Sequence, residues 1–213
     1  MSNLDYRSEY RRNLPHLQPE GAKFFITFRL KGSIPISVLE QWSKEKEALY
    51  LELDHLEGSD RQEEFYKAQK RQFGYLDKYL DKAESGPTWL KNPEVAQILW
   101  DSLHHRDGKI YQLDVFTIMS NHAHIVFEPF KNENGEYHAL QGIFHSLKRF
   151  TAARANEVLN RTGNPFWQPE SYDHIIRDEA EWHRIMNYVL MNPVKAGLVD
   201  DWRDWPWTYC RFE

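Results

Sequence analysis

Two histidines one residue apart, His122 and His124, open an apolar run in the segment Ser120–Phe127. Side chains of a β-strand alternate between its two faces, so both imidazoles would point the same way, roughly 7 Å apart along the backbone. Two imidazoles on one face can share a metal ion. The alternative is that the pair only lines a half-exposed strand, since the chain contains ten histidines.

A second group with chemical potential lies near the end of the sequence, where Tyr188 and Asn192 are four residues apart in a helical pattern. Residues at this spacing share one helix face. If that face covers the histidine strand, the two imidazoles and the Asn192 side-chain carbonyl can hold one cation within reach of the Tyr188 hydroxyl. This mixed donor set suits Mg²⁺ or Mn²⁺, whereas Zn²⁺ would more usually have a third histidine, a cysteine or a carboxylate.

A cation with open positions can take a phosphodiester, neutralise part of its charge and expose it to in-line attack by a tyrosine oxygen. The product would be a phosphotyrosine ester, which a second strand can attack without a nucleotide cofactor. Free tyrosine, with a pKa of about 10, would need activation for this step. Three alternatives stay open: Tyr188 as a core tyrosine, Tyr172 beside His174 as the nucleophile, and Asn192 as a helix-terminal residue before a proline.

The elements that would position these groups follow an α+β order. The pattern predicts strands over residues 24–30, 109–119, 122–127 and 172–176, and helices over residues 37–84, from Pro93 to 103, 140–155 and 178–192, with Asp178 as an N-cap. We expect a ferredoxin-like antiparallel sheet with helices on one face. The chain reads as a single domain over residues 1–213, with a helical insertion at about residues 40–105.

Composition limits the remaining choices. Among 213 residues there is one cysteine, Cys210, which excludes an intrachain disulfide and a thiolate metal cluster and fits a reducing cytoplasm. The sequence has no run of 18 apolar residues, and the first 25 residues lack the apolar core of a signal peptide. We therefore expect a cytoplasmic protein without a membrane partner.

The formal net charge of −5 is unevenly distributed. Residues 40–84 hold twelve acidic against eight basic residues, whereas residues 139–164 hold four basic residues against Glu157. The basic residues of this predicted helix include Lys148, Arg149 and Arg154. They offer a surface for phosphates, although a merely solvated helix face is the alternative.

Five motifs, in order along the chain, resemble the REP-associated tyrosine transposases, which are related to the single-tyrosine HUH transposases of small insertion sequences. The resemblance runs from about Phe24 to Trp207 and is interrupted by the acidic helical segment. The motifs are Ser120–Val126, Ser146–Phe150, Phe166–Gln168, Tyr188–Val199 and Trp205–Trp207.

The resemblance implies an enzyme that binds single-stranded DNA with hairpins (REP-like palindromes), cuts it and stays joined to the 5′ phosphate. It implies that His122 and His124 are the HUH metal pair, Tyr188 the nucleophile and Asn192 the third ligand of Mg²⁺ or Mn²⁺. Asparagine at the third position points to the REP-associated branch. The family's basic surface would correspond to Lys148, Arg149, Arg154, Arg11, Arg12 and Lys195. Both a monomer and a homodimer are compatible with the resemblance.

Two other functions are considered. One is a non-catalytic protein derived from a transposase that only binds hairpin DNA, which would show salt-sensitive binding without a covalent adduct. The other is a metal hydrolase of small phosphoesters, which the basic helix and the tyrosine disfavour.

Overall fold

The computed structural model describes residues 22–53, 55 and 58–212, and these residues form a five-stranded antiparallel sheet with helices on both of its faces. Two short 3₁₀ helices, Trp89–Lys91 and Trp202–Asp204, lie outside the main elements. In chain order the main elements are β1 (Lys23–Arg29), α1 (Ile36–Leu53), α2 (Gly58–Lys82), α3 (Pro93–Arg106), β2 (Tyr111–Ile118), β3 (His122–Pro129), α4 (Leu140–Val158), β4 (Tyr172–Ile176), α5 (Glu179–Leu190), α6 (Asn192–Lys195) and β5 (Thr208–Cys210).

The strands are arranged in the order β4-β1-β3-β2-β5, and each neighbouring pair is antiparallel. The succession β1, α3, β2, β3, α4, β4 is the β-α-β-β-α-β order of a ferredoxin-like fold. The predicted α+β class is therefore confirmed. The edge strand β5 was not predicted, because three residues are too short to show an alternating pattern.

One face of the sheet packs against α3 and α4, as expected for the two helices of this fold. Phe24, Ile26 and Phe28 alternate along β1 and enter a large core on this face together with Leu99 of α3 and Leu147 of α4. Burying such side chains contributes about 1.5–3 kcal/mol each. This core sets the position of β3, whose residues at alternate positions belong to it.

The second face carries the intervening residues of the central strands and is also covered. Phe25 and Val126 pack with Met186 and Val189 of α5, and Phe73 of α2 lies against them. The sequence predicted helices on one face of the sheet only. Helices α3 and α4 lie on that face, whereas α5 and α2 form a second layer on the other face. The reason is that Phe25, Val115 and Val126 point to this second face, and these apolar side chains have to be removed from water.

The helix ends largely follow local signals in the sequence. Asn92 caps α3 by accepting the Glu94 backbone N–H at 2.9 Å, and Pro93 occupies the first turn. Asp178 caps α5 by accepting the Glu181 N–H at 2.7 Å, as predicted. The last helix was expected to continue to Asn192, but α5 ends at Leu190, and α6 begins two residues later.

The predicted insertion at about residues 40–105 is wider than the extra helices require. Leu99 and Leu103 of α3 are buried in the main core, so α3 belongs to the ferredoxin-like unit. The added helices are α1 and α2, which pack against each other. Within the described part of the chain, no helix has the length and apolar character needed to cross a membrane.

Candidate active site

The two histidines of β3 face α2 and α5 and are completely buried. Their Nε2 atoms lie 3.0 Å apart, and their ring centres are 4.6 Å apart. The alternation of β3 explains this arrangement, because Ala123 and Ile125 point into the opposite core. The two side chains that the sequence predicted to share one face therefore meet at their ring nitrogens.

Neighbouring side chains orient the two rings. Asn121 donates its amide N–H to the Leu80 carbonyl at 3.1 Å, so its Oδ1 faces His122 Nδ1 at 2.6 Å. His122 Nδ1 must then carry the proton, and its Nε2 is left with a bare lone pair. His124 Nδ1 lies 2.7 Å from the Thr27 hydroxyl, which can hold it in the same way. A carbonyl on the distal nitrogen is a typical support for a metal-binding imidazole.

Burial also keeps both imidazoles neutral. It lowers the pKa of His122 to about 3, and it lowers the pKa of His124 well below the usual value, with the neighbouring His122 adding to the effect. Neutral imidazole is the form that binds metals.

Tyr188 and Asn192 approach the histidine pair from α5 and α6. The Tyr188 ring centre lies 5.4 Å from that of His124, and the Tyr188 hydroxyl donates a hydrogen bond to Asp77 Oδ2. Asn192 is completely buried and directs its amide N–H toward Asp81 Oδ1 at 3.4 Å. The predicted shared face of Tyr188 and Asn192 is thus realised across the break between α5 and α6.

The two aspartates on α2 were not predicted as site residues. Asp77 Oδ1 lies 3.6 Å from His124 Nε2, and Asp81 Oδ1 lies 3.9 Å from His122 Nε2. One donor atom from each of these four residues falls within 4.8 Å of all the others. The i,i+4 spacing of Asp77 and Asp81 was the available signal, but the sequence did not say what this helix face covers.

The carboxylates and the phenol carry strongly shifted pKa values. Burial, followed by repulsion from Asp81, raises the pKa of Asp77 to about 7, and burial also raises the pKa of Asp81. Burial and the adjacent Asp77 raise the pKa of Tyr188 above its usual value. Lys195 opposes the shifts of both aspartates, and its Nζ lies 4.7 Å from the centre of the Tyr188 ring.

Two buried oxygens on residues of this site, Asn192 Oδ1 and Asp77 Oδ1, have no hydrogen-bond partner among the described residues. Buried polar atoms are normally satisfied, and a bound ion is one ordinary reason for an exception. Two imidazole lone pairs, an amide oxygen and carboxylate oxygens are donors for a divalent cation, so the residues present fit such an ion.

Comparison with known proteins gives the same family that the motifs indicated. No family model matches the chain. Over 98 residues it is 28% identical to a Haemophilus influenzae protein provisionally named as a REP-associated tyrosine transposase, covering 43% of this chain and 54% of that one. Over 42 residues it is 38% identical to the REP-associated tyrosine transposase of Escherichia coli K12, covering 20% of this chain and 26% of that one. Over these segments the chain is similar in sequence to REP-associated tyrosine transposases.

The chain spans about half the length of the first of these relatives and about a quarter of the second. A solved structure of a REP-associated tyrosine transposase bound to a REP hairpin aligns with 88% of this chain and 76% of that one, at 14% identity and a TM-score of 0.47.

Tyr172 remains distinct from Tyr188 in its surroundings. Its ring stacks on Phe73 of α2 with centres 4.2 Å apart, and burial raises its pKa. Tyr188 instead contacts a carboxylate that lies beside the histidine pair.

The basic residues that the family resemblance suggested for DNA binding are not gathered at the histidine pair. Lys148, Arg149 and Arg154 lie on α4, which packs on the opposite face of the sheet. Lys148 donates three hydrogen bonds of 2.8 to 2.9 Å to residues 168–171 before β4, and Arg154 pairs with Glu157 at 3.1 Å. Lys195 is close to Tyr188. Arg11 and Arg12 lie outside the described residues.

Proposed function

We propose that the chain is a divalent-metal-dependent enzyme that nicks and rejoins single-stranded DNA beside a hairpin, with Tyr188 as its nucleophile. The single observation that carries this proposal is the convergence of the two histidine Nε2 atoms with the Tyr188 side chain on one buried face. The sequence similarity to REP-associated tyrosine transposases supports DNA as the substrate class.

His122, His124 and Asn192 would hold Mg²⁺ or Mn²⁺, using two neutral imidazoles and the unsatisfied Asn192 Oδ1. When bound, such an ion withdraws charge from a phosphodiester and makes its phosphorus easier to attack. Asn121 and Thr27 keep the imidazole rings turned toward the site.

Tyr188 would form the covalent bond. Its oxygen attacks phosphorus, the bond from phosphorus to the 3′ oxygen breaks, and the DNA 5′ phosphate is left as a tyrosine ester. The phenolic proton passes to Asp77 Oδ2, which already accepts the Tyr188 hydrogen bond, and the departing 3′ oxygen takes a proton from water. Because the pKa of Tyr188 is raised, proton transfer has to accompany the attack.

Rejoining uses the same residues in reverse. The 3′ hydroxyl of a second strand attacks the phosphotyrosine ester and gives its proton to water. The bond from phosphorus to the Tyr188 oxygen breaks, and that oxygen takes back the proton held by Asp77. The ester conserves the energy of the cleaved bond, so no nucleotide cofactor is required.

The DNA partner we propose is a single strand carrying a REP-like hairpin. Lys195 lies beside the nucleophile, whereas Arg149 and its neighbours on α4 would contact a more distant part of the hairpin. Action as a monomer or a homodimer, and a cytoplasmic location, are the expectations that accompany this function; the single cysteine fits the latter.

The test is formation of a denaturant-resistant protein–DNA adduct. Wild type, Tyr188→Phe and the matched variant Tyr172→Phe are incubated with Mn²⁺ and single-stranded hairpin oligonucleotides from DNA flanking the gene. We expect an adduct with wild type and Tyr172→Phe but not with Tyr188→Phe, while hairpin binding persists in all three. An adduct that is lost only with Tyr172→Phe would move the nucleophile there. Hairpin binding without any adduct would favour the non-catalytic binder.

A further inference from the structure

We propose that helix α2 completes the cation site, with Asp77 and Asp81 as ligands beside His122 and His124. The inference rests on the cation site of the proposed function and extends it. The resulting set of two imidazoles and two carboxylates would hold Mn²⁺, Co²⁺ or Zn²⁺ in preference to Mg²⁺, because imidazole nitrogen suits these ions better than it suits magnesium.

The spacing of the four residues matches across the two elements. Residues four apart on a helix rise by about 6 Å, and residues two apart on a strand by about 6.7 Å. Asp77 therefore lies opposite His124, at 3.6 Å, and Asp81 opposite His122, at 3.9 Å. Each carboxylate faces the metal-binding nitrogen of one imidazole.

The second observation is a pair of unsatisfied oxygens on residues of this site, one of which, Asp77 Oδ1, lies 3.6 Å from His124 Nε2. Asn192 is completely buried and Asp77 nearly so, yet the Oδ1 atom of each has no hydrogen-bond partner among the described residues. The buried Asp77 and the partly buried Asp81 have carboxylate oxygens within 4.8 Å of each other, and these repel when both are ionised. A divalent cation among the four donors removes the repulsion and satisfies the oxygens.

Helix α2 is held firmly enough to offer these ligands. Phe73, one turn before Asp77, packs edge-on against Phe25 with ring centres 5.5 Å apart. The Leu80 carbonyl accepts the Asn121 amide, which links α2 directly to the residue that orients His122. Nearer the start of the helix, Lys70 pairs with the buried Glu181 of α5 at 2.9 Å. Ligands whose supports are fixed lose little freedom when they bind an ion.

Asp77 has one oxygen for each of two roles. Its Oδ2 accepts the Tyr188 hydrogen bond, and its Oδ1 faces His124. The nucleophile and the cation would thus be connected through a single carboxylate.

Cobalt spectroscopy on a cysteine variant tests direct ligation. Asp81→Cys is titrated with Co²⁺ beside the matched control Glu84→Cys, which places a thiol at an exposed position just after α2. We expect a sulfur-to-cobalt charge-transfer band in the near ultraviolet only for Asp81→Cys, because a thiolate gives this band when it is bound to the metal. Cys210 is present in both variants, so any band that it gives appears in both spectra. A wild-type-like spectrum for Asp81→Cys would overturn the assignment of Asp81.

Calorimetric titration with Mn²⁺ and with Mg²⁺ supplies the second measurement. We expect Asp77→Asn and Asp81→Asn each to weaken Mn²⁺ binding at least about tenfold, Glu84→Gln to leave it unchanged, and wild type to bind Mn²⁺ more tightly than Mg²⁺. Circular dichroism checks that each variant is folded. Each Asn variant removes a negative charge from the site, so we expect both variants to fold.

The outcomes separate this inference from the proposed function. If His122→Ala abolishes Mn²⁺ binding while Asp77→Asn and Asp81→Asn bind as wild type does, the α2 ligands are refuted and the proposed function stands. If wild type binds neither ion and still forms the Tyr188 adduct in the presence of a chelator, the α2 ligands and the metal dependence of the proposed function both fall.

Discussion

Replacing Asp77 tests the electrostatics of the site in a way that needs neither DNA nor metal. The Asp77 residue is 5% exposed, and burial together with Asp81 raises its pKa to about 7. We expect Asp77→Asn to stabilise the metal-free protein at mildly alkaline pH. The amide can still accept the Tyr188 hydrogen bond, and it carries no charge that has to be buried.

The magnitude follows from the linkage between proton binding and folding. An aspartate in an unfolded chain has a pKa of about 3.9, so folding raises that of Asp77 by about three, which corresponds to about 4 kcal/mol. Above about pH 8 the carboxylate is ionised in both states, and the folded protein bears the whole cost. Below about pH 3 it is protonated in both states, and the cost vanishes. Wild type should therefore gain stability as the pH falls through 7, and Asp77→Asn should lack this contribution.

Guanidinium denaturation with a chelator present measures the free energy of unfolding of wild type, Asp77→Asn and Glu84→Gln. At about pH 8 we expect Asp77→Asn to exceed wild type by roughly 4 kcal/mol, falling to about 1–2 kcal/mol near pH 5. The exposed control Glu84→Gln should differ from wild type by no more than about 0.5 kcal/mol. An Asp77→Asn protein that is equally stable or less stable than wild type at pH 8 would refute the buried-carboxylate reasoning.

Three other changes have expected outcomes. Asn121→Ala removes the carbonyl that orients His122 and should weaken Mn²⁺ binding about 10- to 100-fold in calorimetry, although Asn121 is not one of the proposed ligands. Unchanged affinity would mean that the ring needs no such support. Glu181→Gln should lower the free energy of unfolding by about 1–3 kcal/mol, because the buried Glu181 accepts hydrogen bonds from Tyr66 and the Arg177 backbone. An unchanged free energy of unfolding in denaturation would mean that the contacts of Glu181 do not anchor α2. Arg149→Ala should weaken hairpin binding, lower the slope of log affinity against log salt concentration by about one, and leave the free energy of unfolding unchanged. Binding curves that coincide with those of wild type at every salt concentration would exclude α4 from the DNA surface.

The parts of the fold that could be predicted depend on local chemistry. The alternation around His122 and His124 requires only that the segment be a strand, and the Asp178 cap requires only neighbours within four residues. The strand Tyr172–Ile176 was predicted with its observed bounds for the same reason. Where the prediction missed an end, at Leu190, the cause was a proline that starts a new helical turn rather than stopping the helix at the residue before it.

The position of the basic helix shows what charge alone does not determine. The sequence identifies Lys148 and Arg149 as basic residues of one helix. The spacing of the apolar residues in that helix does not show which face of the sheet it packs against. In the structure α4 covers the face of the sheet that carries Phe28, not the face that carries the histidines. Lys148 also has a structural role, because it holds residues 168–171 in place through three hydrogen bonds.

The aspartates of α2 were hidden for a related reason. Asp77 and Asp81 are two of twelve acidic residues in the segment 40–84, and most helical acids face water. Their contacts with Tyr188 and Asn192 span 111 residues of sequence, so no local pattern reveals them. Only the packing of α2 against α5 separates the buried Asp77 from an exposed neighbour such as Lys78.

The donors of the candidate site are therefore divided between two parts of the chain that contribute differently. The sheet and α6 supply imidazoles and an amide, a neutral set that leaves the full charge of a cation available to a phosphate. Helix α2 adds two carboxylates, which bind the cation more strongly but also compete with a phosphate for its charge. Changes confined to residues 58–82 should thus alter how tightly the ion is held, and how strongly it attracts DNA, while the strand that carries His122 and His124 stays as it is.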